Sequence, residues 1–344
     1  MIHSESDLEK IGVFPWEWVA DSFDDADLFL GNGFSINLCQ RLNYNSLFKR
    51  YMEGLSPESQ TIFQAFGTTN FELIIQILNN AETVNKLINH PTNKIDPLKD
   101  ELKSGLVRAI KDNHPEHNEL YVPQLSKLAN DLEEFKDIYT TNYDIFLYKI
   151  ILQTISKYRE EKLPDPYEDY FYEKISPTEL GFNNIKVNDE ARGVYYLHGA
   201  LFLYPTFNRA NVWKLRKLET SPIEYIALIR RQIDNDSFPV FVAEGDFQDK
   251  KAAIARNPYL TFCQNRLLQA RRNLLVYGFS FGDSDRHIAD VISRNKSKKI
   301  AVSIYKGSNS LDQLDKEASR LRAVFSNKEV VVIDSETVLT NLQP

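Results

Sequence analysis

The chain has 344 residues, 42% hydrophobic and 26% charged, the make-up of an ordinary globular protein, which excludes disorder and fibre. A net charge of −7 with scattered basic residues argues against nucleic-acid binding, because neutralising phosphates needs clustered Lys and Arg. Cys39 and Cys263 are the whole cysteine complement, which excludes a four-cysteine zinc site, argues against a disulfide framework and points to a reducing compartment. The N-terminus lacks a basic start and no long apolar run occurs, so neither secretion signal nor membrane span is expected, and the expected location is cytoplasmic.

In chain order, "DLFLG" at 27–31 reads as a short buried strand that ends in "GNGFS", and "INLCQRLNYNSLFKRY" follows with helical pattern. Residues 1–55 therefore open an α/β core. Residues 56–132 are helical in pattern, with "FELIIQILNNAETVNKLI" the clearest amphipathic stretch, and form a helical insertion. The core resumes over 133–344 with strand signals at 136–141, 193–199, 238–245, 273–280, 298–305 and 329–334. Segment 159–190 is less regular and reads as a surface excursion or lid. "SPIEYIALIRRQI", "NPYLTFCQNRLLQARR" and "LDQLDKEASRLRAVF" supply crossovers, so the fold class is α/β, Rossmann-like, a mostly parallel sheet with helices on both faces plus the insertion. The one basic run, "SRNKSKK" at 293–299, reads as the flank of a strand.

Four polar seams fall where strand pattern changes to helix, the place where α/β sheets bind ligands. Gly31, Asn32, Gly33, Phe34 and Ser35 form the first, a loop whose backbone can approach a phosphate or simply make a tight turn. The second, "TTNYD", carries Thr140, Thr141, Asn142 and Asp144. Asn142 suits ribose hydroxyls or a reactive water, and Asp144 either accepts from a ligand or caps the next helix. The third places His198 before Gly199, as a general base or a structural histidine. The fourth, "GFSFGDSD", holds Gly278, Ser280 and Asp285, suited to the adenosine half of a dinucleotide or to a turn with Ser284 or Asp285 as helix cap. His3, His90, His114, His117 and His287 read as solvated, and "HPEH" lacks the partners of a metal site.

In their order and spacing "GNGFS", "TTNYD", "LHG" and "GFSF" resemble the sirtuin-like NAD-binding family, and the layout over about residues 25–300 is similar to the bacterial family called domain of unknown function 4917. The resemblance implies that Gly31, Gly33 and Ser35 bind phosphate, that Asn142 contacts the nicotinamide ribose or attacking water, and that Asp144 sits near the carboxamide. It makes His198 the base and puts Gly278 and Ser280 on the adenosine side. The chain departs from sirtuin deacylases in having no four-cysteine module, no "GIPDFR"-like loop and Thr141 in place of glutamine. The likeness shifts accordingly to the zinc-free sirtuin-like effectors of bacterial antiphage systems, which hydrolyse NAD.

The resemblance thus leads to the expectation of an NAD+ glycohydrolase with NAD as substrate and no metal, its partners a related dinucleotide, a homo-oligomer or a protein trigger. A sensor that binds NAD or ADP-ribose without cleaving it is the alternative, and a purely structural α/β domain is a third reading.

Overall fold

The computed structural model describes residues 4–68, 71–115, 122–188, 190–206, 211–216, 224–235, 237–242 and 246–339. Its strands, in chain order, are β1 Val13–Phe14, β2 Asp27–Leu30, β3 Ile138–Thr140, β4 Tyr167–Glu168, β5 Phe171–Ser176, β6 Glu179–Phe182, β7 Arg192–Tyr196, β8 Leu203–Pro205, β9 Val212–Leu215, β10 Leu274–Tyr277, β11 Lys299–Ile304 and β12 Glu329–Asp334. Eight of them form one sheet in the order β1-β12-β11-β10-β2-β3-β7-β4, in which every pairing is parallel. The central strands are apolar nearly throughout and fully buried, as in a sheet covered on both faces. This is a Rossmann-like α/β architecture.

From β2 the chain moves to β3 and β7 on one side, whereas β10, β11 and β12 build out on the other. The order therefore reverses beside β2, and a crevice opens at the carboxyl ends of strands where connections diverge in this way.

Among the described residues between β2 and β3 the chain is helical. Helices Pro57–Phe66, Phe71–Leu87, Ile95–Asn113 and Val122–Glu133 occupy the expected insertion. Pro57 stands in the first turn of its helix, Ser56 caps it by accepting from the Ser59 amide, and Gly67 ends it at φ 57°. Ile95–Asn113 packs on Tyr44–Glu53 and Val122–Glu133 on Phe146–Glu160, so these two helices tie the insertion to the core.

Three expectations need correction. Segment 159–190 carries three strands: β4 extends the main sheet, and β5 and β6 pair as a hairpin in a second, antiparallel sheet of order β5-β6-β9-β8. Its Pro-rich and acidic composition hid strands whose partners, β7 and β9, lie outside the segment except in the β5–β6 hairpin. The expected strand at 238–245 is reduced among described residues to a bridge between Phe241 and Gly199, with Ala200 donating to the Val240 carbonyl and Val242 to that of His198; residues 243–245 lie outside the described residues. The helix expected after "GNGFS" is broken into Asn32–Leu38, a short 3-10 turn and Tyr44–Glu53.

Candidate functional site

Register brings the seams together. Leu30 pairs with Thr140 and with Tyr277, and Thr140 pairs with Tyr196. The residues that follow these four strand ends, at 31, 141, 197 and 278, consequently lie side by side at one edge of the sheet. Gly31 and Gly33 interlock with Gly278: the Gly31 amide donates to the Tyr277 carbonyl and the Gly33 amide to that of Gly278, both at 2.9 Å. A Cβ on Gly31 would fall 2.5 Å from the Gly278 oxygen, and one on Gly278, at φ +68°, would fall 2.7 Å from the Phe34 nitrogen. The glycines thus answer the need for two loops to touch. The amides of Gly31 and Gly33 are spent on the facing strand rather than held out to a phosphate. Asn32 is exposed, and the Phe34 ring is fully buried.

Ser35 is fully buried behind this contact. Its hydroxyl donates to Asp144 Oδ2 at 2.5 Å and accepts from Asn142 Nδ2 at 2.9 Å. Asn142 Nδ2 also donates to the Gly31 carbonyl at 2.9 Å, while its Oδ1 is buried without a hydrogen-bond partner. Thr140 clamps the loop by donating to the Leu30 carbonyl and accepting from the Asn142 amide, both at 3.0 Å. The Thr141 amide donates to the Leu30 carbonyl at 3.2 Å. Asp144 Oδ1 accepts from the Phe146 amide at 2.9 Å, so this carboxylate steadies the start of helix Phe146–Glu160 while holding Ser35. Burial pushes its pKa up, and the bonds from Ser35 and Phe146 oppose that shift.

On the β10–β11 side lies a cavity of about 620 Å³, lined by Gly33, Gly278, Ser280, Ser303 and Asn37 among others. Ser280 is exposed and its carbonyl accepts from Arg320. The loop is shaped by positive φ at Gly278 and Phe281.

On the β7 side, His198 and His287 face each other with Nε2 atoms 2.8 Å apart and both rings buried. One must donate and the other accept. Burial, then each other's proximity and Lys250, drives the His198 pKa well below the usual histidine value; burial first, with Lys250 assisting and Asp285 opposing, brings His287 to about 4. Both imidazoles are therefore neutral at pH 7. The Tyr143 ring stacks beside His198 at 6.5 Å between centroids, linking this pair to the Asn142 loop. Gly199 turns at φ +86°, where a Cβ would strike the Val240 carbonyl.

His198, His287 and Asp285 each offer a ligand atom, all within 4.8 Å of one another. A divalent ion there would face the ammonium of Lys250, which is 1% exposed and lies 2.9 Å from Asp285 Oδ1. Lys250 already supplies the positive charge, so the set suits proton handling better than a resident metal. Asp285 consequently makes no side-chain cap to helix Arg286–Arg294.

His287 and His114 are buried rather than solvated, which corrects the sequence expectation; His90 is exposed, and His3 and His117 lie outside the described residues. His114, at the end of Ile95–Asn113, pairs Nδ1 with the Pro115 carbonyl at 3.0 Å, and its pKa falls to about 3, chiefly through burial. Its Nε2 lies 3.4 Å from the Ile145 amide, so the insertion touches the loop that carries Asn142. Sequence reasoning missed His287 and Lys250. The one signal for His287 was its place on the buried stripe of an amphipathic helix.

No curated protein matches this chain significantly. The family model described as domain of unknown function (DUF4917) matches residues 28–339, a span that includes every residue of the site from Gly31 to His287. The chain belongs to that family.

Proposed function

We propose that the chain is an NAD+ glycohydrolase acting at the carboxyl ends of β2, β3, β7 and β10. The observation that carries the reading is the buried chain Asn142–Ser35–Asp144, in which residues far apart in sequence meet at the reversal of strand order. Asn142 Oδ1 is a buried acceptor without a partner, and burying such an atom costs about 1–3 kcal/mol. A ribose hydroxyl or a water aimed at the glycosidic carbon would satisfy it. The 620 Å³ cavity beside Gly278 and Ser280 is of a size that takes half a dinucleotide.

In this reading water adds to the ribose carbon as the bond to nicotinamide breaks, giving nicotinamide, ADP-ribose and one proton. Neutral His198 accepts that proton. In the tautomer whose Nε2–H donates to His287, the lone pair of Nδ1 is left to do so. Asp144 holds Ser35 and, through it, the Asn142 amide. Fixed groups of this kind act on the charge that develops on the sugar without reorganising.

Full-length protein incubated with NAD+ should release nicotinamide, and His198→Ala should reduce release by about 10²–10⁴-fold. Equal release by that variant overturns the assignment. A sensor that binds without cleaving is favoured by one observation, the burial of His198 to 3% and of Asn142 to 7% exposure. Calorimetric binding of NAD+ with no nicotinamide at any protein concentration would select it.

A further inference from the structure

The opposite edge of the sheet holds a second charged cavity. Because the strands are parallel, their starting loops also converge, and at the amino ends of β2, β3 and β10 they enclose a cavity of about 710 Å³. Asp27, Asp137, Arg266, Arg271, Arg272, Arg294 and Lys296 provide its charged lining. Arg272 Nη1 lies 3.4 Å from Asp27 Oδ1 and 3.9 Å from Asp137 Oδ2, and Arg266 Nη2 lies 4.0 Å from Asp137 Oδ2. Arg266 also donates to the Tyr195 hydroxyl at 3.0 Å. Two guanidiniums are thereby matched to two carboxylates.

Arg271, Arg294 and Lys296 have no such match: among the described residues no carboxylate pairs with them, and all three are exposed. Arg294 spends only its Nε, on the Asp290 carbonyl at 3.1 Å. A surplus of three cations in one concavity stands out in a chain of net charge −7. Like charges gathered without partners repel one another, and an anion relieves that cost. Guanidiniums favour phosphate oxygens because their paired N–H groups match them. The cations surround a pocket rather than follow a stripe, which fits a compact ligand better than a nucleic-acid strand. Burial and Asp137 hold the Asp27 carboxyl up to about 7, so near neutrality part of the negative charge in the cavity is already removed.

We propose that this cavity binds a small anion carrying a diphosphate or triphosphate group, at a site separate from the one proposed for NAD cleavage. The site stands whether or not the chain cleaves NAD.

The test is isothermal titration of the full chain with inorganic pyrophosphate at fixed ionic strength, with ADP in a parallel arm. The comparison protein is the triple variant Arg271→Ala, Arg294→Ala, Lys296→Ala, whose changes fall on exposed side chains. Saturable pyrophosphate binding that weakens about tenfold or more in the variant is the expected result. Tighter binding of ADP than of pyrophosphate, lost in the same variant, would identify a nucleotide as the occupant; equal binding would identify the bare diphosphate. Should the triple variant not fold, Arg294→Gln alone is expected to weaken binding several-fold. No saturable binding above the ionic-strength control, or undiminished binding by a folded variant, overturns the proposal.

Discussion

Replacing Asp27 by Asn should stabilise the protein in a pH-dependent manner. Asp27 is 1% exposed at the start of β2, and burial first, then the charge of Asp137, raises its pKa from 3.8 to about 7. Below about pH 4 the carboxyl is protonated in both folded and unfolded chains, and its neutral form is at home in the fold. As pH rises from about 4 to about 7 the unfolded chain ionises while the folded chain keeps the proton. The unfolded state then binds fewer protons, and stability falls through that window. A rise in pKa of roughly three, at about 1.36 kcal/mol for each tenfold change in proton affinity, amounts to about 4 kcal/mol, an upper bound given the ion pair with Arg272. The asparagine side chain would resemble the protonated acid and could still accept from the Asp137 amide, a bond of 3.1 Å in the wild type. Urea denaturation in phosphate-free buffer should therefore show little difference between variant and wild type near pH 4. Near pH 8 the variant should be more stable by up to about 4 kcal/mol. Contributions from the buried histidines oppose this trend in the wild type, since their lowered pKa values cost stability as pH falls below about 6.5, but they cancel in the difference. A difference of the same size at every pH would refute the reasoning.

Other consequences are equally direct. Gly278→Ala would force a side chain into a left-handed turn and against the Phe34 nitrogen, so denaturation should reveal a loss of about 2 kcal/mol or more. Ser35→Ala removes both the donor to Asp144 and the acceptor for Asn142; a loss of about 1–3 kcal/mol is expected in denaturation and, under the proposed function, weaker NAD binding by calorimetry. Under the proposed reaction, His287→Gln should lower kcat while leaving KM nearly unchanged, since His287 touches His198 rather than the ligand. Lys250→Met should free the Asp285 carboxylate, and Zn²⁺ should bind that variant more tightly than wild type in titrations with a chromophoric chelator.

Much of the sheet could be read from the sequence because β2, β10, β11 and β12 are apolar runs flanked by turn residues. The strand-end seams were legible for a related reason: "GNGFS", "TTNYD" and "GFSF" interrupt apolar patterns with residues that a core does not need. Pairing was less accessible. Nothing local to Arg192 or Phe171 says that one strand joins a parallel sheet and the other an antiparallel one, since that choice depends on distant partners. β1 has only Val13 and Phe14, too few residues for a period to show. His287 belongs to the site because helix Arg286–Arg294 brings its buried face to His198, just past the end of β7, and Lys250 because Phe247–Ala255 packs beside that helix. The cationic cavity was equally hidden, its arginines spread from 266 to 294 and gathered only by the parallel start of the strands. Scattered charge in a sequence is not scattered charge in a fold.

The most direct test is a crystal structure of the full chain with ADP-ribose bound. The account predicts adenosine beside Gly278 and Ser280 and the terminal ribose against Asn142, with its anomeric carbon turned toward the imidazole of His198. A ribose bound away from both Asn142 and His198, or ADP-ribose held solely among the arginines at the other edge of the sheet, would contradict it.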